Sequence, residues 1–478
     1  MVFNSIEFAI FLPIVFLLYW FVFNKNLKLQ NLFIVIASYF FYGWWNWRFL
    51  LLIAFTSLCS WGSGLLIEKF RENKRKSRLI SAGNIILNLV ILGIFKYYDF
   101  FVTSFADIFL GGQTDGLLLN IILPVGISFY TFQALSYSID VYRKMIEPTK
   151  DMVGFFAYVS FFPQLVAGPI ERATNLLPQF RMRRTFDYTL AMDGSRQILW
   201  GLFKKMVVAD RCAVFVDEVF ATYQTQPGSH LLLGAILFTF QIYGDFSGYS
   251  DIAIGTSKLF GIRLMRNFNV PYFSRDIAEF WRRWHISLTT WLRDYVYIPL
   301  GGSRCSKAKI VRNTFIIFLV SGLWHGANWT YLVWGAYHAV LFLPLILLGK
   351  NRRYTDVVAA DSVLPNIREV FGVLTTFLLV AVGWIIFRAE SISQAWTYIG
   401  GICQWRTAQA SFQQGFGTTL LFIVVMLLVE WMERKEEHGL SLTAVPKKYV
   451  RILICLLLLF TIYYFAPATS GEFIYFQF

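Results

Sequence analysis

The sequence predicts an all-α polytopic membrane protein, and three observations carry that prediction. First, 56% of the 478 residues are hydrophobic and only 15% are charged, where a soluble domain carries about 25% charged residues. Second, Phe, Tyr and Trp make up 19% of the chain, a composition suited to lipid-facing surfaces and interfacial belts. Third, apolar runs recur that suit a hydrocarbon core of roughly 30 Å, which takes about 20 residues to cross. Lipid tolerates only helices or closed barrels, and these runs are too long for barrel strands. A net charge of +14 raises nucleic acid as a partner. The positives, however, fall in short clusters between apolar runs, as in cytoplasmic loops, so the expected partners include membrane lipids and no nucleic acid.

The first apolar run, residues 8–23, has no Lys or Arg before it, while Lys25 and Lys28 follow it. Lacking a basic leader and an A-x-A-like cleavage site, it reads as a retained helix with its N-terminus outside the cytoplasm. Further candidate spans follow near 30–46, 49–67, 79–97, 117–139, 152–169, 196–216, 230–258, 313–332, 333–348, 368–388, 415–432 and 449–466. Some are expected to be re-entrant or interfacial, leaving about 11 true crossings. The strongest basic loop, EKFRENKRKSR at 68–78, holds six positives and is expected in the cytoplasm. KNRR (350–353) and PKKYVR (446–451) are expected on the same side. The span 449–466 then exits on the far side, so residues 467–478 form an extracytoplasmic tail. The whole chain, 1–478, reads as a single transmembrane domain.

Ionisable residues inside apolar segments are expensive, so they point to function. They concentrate in EFWRRWHISLTTWLRDYVYIPLGGSRCSKAKIVRN (279–313) and the apolar stretch that follows, which together hold His285, His325 and His338. His230 and His438 lie in polar or charged surroundings and are expected to be solvated. Residues 313–348 are too long for one crossing and read as a helical hairpin broken near Gly322–Asn328. On one continuous helix, His325 and His338 would stand about 20 Å apart and point about 140° apart, so they are not expected to share a site. His338 reads as a core histidine. Arg282, Arg283 and Arg293 cluster around His285 with Arg304, Lys307, Lys309 and Arg312. Such a cluster suits a polyphosphate such as coenzyme A, and equally suits positive-inside topology with snorkelling stems. No phosphate loop, dinucleotide fingerprint or HExxH is present, no metal is expected, and the five scattered cysteines form no CxxC pair.

At these residues the chain resembles the membrane-bound O-acyltransferases, in particular the membrane subunits of alginate and peptidoglycan O-acetylation. The matching stretches are ILPVGISFYTFQALSYSIDVYR (122–143), FFPQLVAGPI (161–170), YGDFSGYSDIAIG (243–255), FWRRWHISLTTWLRDYVYIPLGG (280–302), GLWHGANWTYLVWGAYHA (322–339) and GWIIFRAE (383–390). The resemblance implies a ring of tilted helices around a central tunnel, in a bacterial inner membrane. It implies acetyl transfer from a cytoplasmic acyl-CoA, used as substrate with no permanently bound cofactor, to an extracytoplasmic polysaccharide. The essential histidine of the family's WHG motif maps onto His325, and the histidine of RRWHISL onto His285. Trp324 and Asn328 are candidates for fixing the His325 ring. A separate periplasmic acetyltransferase of the SGNH type is an expected partner. Two other readings compete: a transporter of acyl groups or lipid-linked glycans without catalysis, and a scaffold for that partner.

The tail GEFIYFQF (471–478) carries one phenol, Tyr475, among apolar residues. It resembles the FIY-type motif of a small membrane peptide in the related teichoic-acid D-alanylation system, and the resemblance implies a tyrosine that carries the acyl group. The chemistry is sound: a phenol titrates near pH 10 and a thiol near 8.5, so an aryl ester keeps much of a thioester's transfer potential. Tyr475 is therefore a candidate acyl relay, with an interfacial aromatic anchor as the plain alternative.

Overall fold

The computed structural model describes residues 1–114, 116–166, 168–404, 415–467 and 473–474. Among them the regular elements are all helical. Six helices are long and apolar enough to cross a membrane: Phe49–Lys69, Lys74–Phe109, Gly228–Leu259, Trp329–Leu347, Ile367–Arg388 and Lys448–Phe465. Ile6–Val22 and Phe416–Met432 are shorter apolar helices. Several expected spans are reshaped. The run 117–139 becomes helical only at Ile127, because Pro124 and Gly126 precede it and Gly126 has φ 75°. A Cβ at Gly126 would lie 2.4 Å from the Leu165 carbonyl oxygen, so only glycine fits. The run 152–169 contains two short helices, Met152–Ser160 and Phe162–Leu165.

The chain forms two compact units, residues 1–195 with 253–265, and residues 196–252 with 266–478. In the first unit the Ile127–Tyr142 helix is buried along nearly its whole length. It packs on Phe49–Lys69 and Lys74–Leu92, where Gly64 faces the Tyr137 ring. Arg184 is tied down by the side chains of Gln30 and Asn31.

The second unit is organised by close backbone approach. Gly201 and Gly248 face each other, a Cβ on either lying within 2.7 Å of the other's carbonyl oxygen, and Gly244 faces the Lys204 carbonyl. This small-residue face presses the segment 200–209 onto the Gly228–Leu259 helix. At that point residues Phe203–Ala209 widen into a π-helix, a form that recurs at functional sites. The hairpin expected near Gly322–Asn328 is present: Lys307–His325 ends at an extended Gly326 and Trp329–Leu347 begins after the cap Asn328. A Cβ on Gly322 would lie 2.2 Å from Tyr331 O, and one on Gly335 would lie 2.4 Å from Phe318 O. Glycine at both positions lets the two arms touch.

Candidate functional site

His285 is held in an uncommon backbone state. The helix Ile277–Arg283, capped by Asp276, stops at Trp284, and the helix Ile286–Leu292 starts immediately after His285. Between them His285 adopts φ 45°, ψ 53°, a left-handed conformation in which His is enriched among non-glycine residues. Such a residue costs on the order of 1–3 kcal/mol and persists only when its surroundings over-determine it. Asn267 supplies that determination. Its carbonyl accepts from Ile286 N at 2.9 Å, and its side-chain oxygen accepts from Ser287 Oγ at 2.9 Å and from His285 Nδ1 at 3.1 Å. Asn267 Nδ2 in turn donates to Ser250 Oγ at 3.1 Å.

This network sets the tautomer. The Asn267 side-chain oxygen is fixed as an acceptor by the Ser287 hydroxyl and by the backbone N–H of Ser287, so His285 carries its proton on Nδ1. Nε2, buried and without a hydrogen-bond partner among the described residues, presents its lone pair. Burial pushes the imidazole down to about 3, which keeps it neutral across the physiological range.

His325, the last residue of its helix, stands beside it. The two imidazole centroids are 6.5 Å apart, with ring planes at 62°. Trp324 is common to both, 5.5 Å from His285 and 5.0 Å from His325. Phe387 and Trp334 close the His325 side at 5.2 Å each, and Phe246 packs on His285 at 4.7 Å. Both histidines are buried. Two neighbouring imidazoles in an apolar cage can take and return a proton while water is kept from a reactive ester.

The other sequence candidates lie differently. Asn328 accepts from Thr330 N at 2.9 Å and donates to Glu390 O at 3.1 Å, which builds the hairpin turn. Arg282 donates to the carbonyls of Asn351 and Tyr354. Arg283 pairs with Glu279 at 2.9 Å, and Arg293 pairs with Asp294 at 2.6 Å. The three guanidinium groups are thus engaged by protein partners. Tyr475 lies outside the described residues. Among the described residues, no group of three or more His, Cys, Asp or Glu is placed to hold a metal ion.

Two expectations are corrected. His438 is buried, not solvated; its Nδ1 accepts from Leu440 N, and Gly439 lies against the Trp200 ring. His230 is half-buried and meets Gln226. His338 is fully buried, as expected of a core histidine; Trp334, one turn before it on the same helix, lies 5.0 Å from it and, because the hairpin is broken before Trp329, also meets His325 at 5.2 Å.

The sequence reading also missed a buried ionic system, although it quoted the YGDFSGYSD stretch that supplies half of it. Lys204 pairs with Asp251 at 2.6 Å, and Tyr243 donates to Glu430 at 2.7 Å. Lys205 bridges Asp210 at 2.7 Å and Asp245 at 2.6 Å. The available signal was adjacent lysines in an apolar run opposite two aspartates on a glycine-rich helix.

Helical spans around buried, paired imidazoles define a multi-pass membrane protein with an enzyme-like interior. The profile of the membrane-bound O-acyltransferase family matches residues 149–371. The chain is 43% identical over 413 residues to the probable alginate O-acetylase AlgI of Pseudomonas aeruginosa, covering 86% of this chain and 76% of that one. It is 35% identical over 420 residues to the peptidoglycan O-acetyltransferase of Helicobacter pylori, covering 82% and 77%. The teichoic acid D-alanyltransferase of Bacillus subtilis matches at 27% over 288 residues, 57% of this chain and 70% of that one. The chain belongs to the membrane-bound O-acyltransferase family and is a membrane O-acyltransferase.

Proposed function

We propose that the protein takes an acetyl group from a cytoplasmic acyl-CoA and passes it across the bacterial inner membrane for O-acetylation of an extracytoplasmic polysaccharide. The observation that carries this reading is the pair of neighbouring histidines in one aromatic cage. The relatives' names, alginate O-acetylase and peptidoglycan O-acetyltransferase, support a polysaccharide as the final acceptor.

In this reading Tyr475 is the relay. His325 takes the phenolic proton as the oxygen attacks the thioester carbon. The C–S bond breaks, an aryl ester forms, and the imidazolium returns its proton to the thiolate. The acetyl group then leaves Tyr475 for an acceptor hydroxyl, with a separate extracytoplasmic acetyltransferase of the SGNH type delivering it to the polymer. The neutral His285 is the second imidazole available for moving protons.

Three variants and one spectrum test this. His325→Ala is expected to fold and to lose acetyl transfer by at least ~100-fold, the lower range for general-base catalysis. Undiminished transfer with altered glycan or acyl flux would favour the transporter reading instead. Tyr475→Phe keeps the anchor and removes the nucleophile, so polysaccharide acetylation should be lost. Mass spectrometry of the wild-type peptide containing Tyr475 should show one added acetyl group. Full acetylation in Tyr475→Phe sinks the relay. His285→Ala should reduce transfer as well.

A further inference from the structure

Phe473 and Ile474, the two residues before Tyr475, are fully buried in the second unit. The Ile474 N–H donates to Asp245 Oδ2 at 2.7 Å. The Phe473 ring lies 4.2 Å from the Tyr249 ring and 6.1 Å from Phe246. Phe246 is the ring that packs on His285 at 4.7 Å. Asp245 and Tyr249 stand one turn apart on the Gly228–Leu259 helix and therefore share a face. Behind them, Lys205 Nζ meets Asp245 Oδ1 at 2.6 Å and lies 5.8 Å from the Tyr249 ring centroid. Asp210 holds the same ammonium from another side.

We propose that Asp245, clamped by Lys205, and the aromatic slot of Tyr249 and Phe246 form a built-in seat for the Phe473–Ile474 segment. Asp245 is thereby a positioning residue that holds this segment one side chain away from His285. The chemistry is specific on both counts. A carboxylate accepting a backbone N–H makes a charge-assisted hydrogen bond, about twice as strong as a neutral one. It recognises the main chain and leaves the selection of side chain to the slot, which takes an aromatic ring edge-on or tilted. Lys205 makes a buried carboxylate tolerable at this position, since an uncompensated one would be strongly disfavoured. The π-helix at Phe203–Ala209 and the glycine contacts of Gly201, Gly244 and Gly248 bring the Lys205 backbone close enough to do so. Seat and histidine pair are connected through a single ring, so a segment held here is restrained relative to the imidazoles. That consequence for acyl transfer rests on the relay proposed above; the seat itself does not.

The test reads the seat directly. Ile474→Cys is introduced into the full chain with Cys59, Cys212, Cys305, Cys403 and Cys455 replaced by alanine, which keeps the Ile474-position N–H. Its thiol is then labelled with a maleimide in detergent micelles. Slow labelling is expected in this parent and full labelling after denaturation in dodecyl sulfate. Adding Asp245→Ala should speed labelling at least tenfold, and Asp245→Asn, which retains an acceptor oxygen, should fall between. Lys205 keeps Asp210 in these variants. Phe473→Ala leaves every ion pair intact and should also speed labelling tenfold, guarding against a folding defect. Parental labelling rates in both Asp245→Ala and Phe473→Ala, with unchanged melting temperatures, overturn the proposal. Fast labelling in these variants beside full acetylation by Tyr475→Phe would leave the seat and remove the relay. Unchanged labelling beside a dead Tyr475→Phe would do the reverse.

Discussion

His285 and Asn267 behave as one unit at the scale of single residues. Asn267 fixes both the backbone turn and the ring of His285, and 18 residues separate them. Replacing Asn267 with Asp puts a negative charge 3.1 Å from Nδ1, and an adjacent anion favours the protonated imidazole. Burial holds the native ring near 3, so the neutral base persists through mildly acidic pH. In Asn267→Asp that value rises, the neutral base is lost as pH falls through the new value, and the acidic limb of the activity profile moves up by at least one pH unit. Asn267→Leu should instead lower acetyl transfer about 10–100-fold, by analogy with hydrogen-bond partners that orient metal-ligating histidines, without moving the limb. Superimposable profiles for wild type and Asn267→Asp would remove His285 from the proton-transfer step. The two histidines were legible in the sequence because the family motifs and the concentration of ionisable residues among apolar ones coincide there. Asn267 was not, because its role exists only once a left-handed residue turns the chain back onto it.

At the scale of elements, the broken hairpin sets the position of His325. The stretch GLWHGAN announced the break, since glycines on both sides of His325 and a capping asparagine cannot continue an apolar helix cheaply. What the stretch could not announce is how closely the arms meet. Gly335 permits that contact, with a Cβ there falling 2.4 Å from Phe318 O. Gly335→Ala must separate the arms, and overpacking of this kind costs about 1–3 kcal/mol. The melting temperature in detergent should therefore drop by several degrees. A displacement of about 1 Å at His325 can cost on the order of 100-fold in rate, so acetyl transfer should fall further than stability alone accounts for. Gly400→Ala is the matched control: its Cβ meets nothing within 4 Å, and both measurements should stay at wild-type values. Equal losses in the two variants would mean that arm contact is irrelevant to His325. Closure of the same hairpin is what brings Trp334 against His325, a relation invisible to any argument that keeps the helix continuous.

The whole molecule is legible mainly as a problem of solvent. On the Lys448–Phe465 helix, Leu453, Leu456, Leu457, Leu459, Phe460 and Tyr463 are all exposed, which water would penalise and lipid accepts. Composition alone anticipated this, whereas the number of crossings depended on where proline, glycine and buried polar residues interrupt the apolar runs. Orientation is predicted by a separate physical rule, the retention of Lys and Arg in cytoplasmic loops. Six positives between Glu68 and Arg78, and Lys447, Lys448 and Arg451 before the last span, predict the same side for both loops, while Lys25 and Lys28 after the first apolar helix predict Ser5 on the opposite side. Single cysteines at Asn73, Lys447 or Ser5 in the cysteine-free chain, probed with an impermeant maleimide on spheroplasts, separate the alternatives. Ser5→Cys should react in intact spheroplasts, and Asn73→Cys and Lys447→Cys only after permeabilisation. Reaction of Lys447→Cys from outside would reverse the last span and send Phe473–Ile474 and the tyrosine beyond them toward the cytoplasm. The acyl group could then not leave Tyr475 on the polysaccharide side, so this one labelling pattern decides whether the relay can serve an extracytoplasmic acceptor.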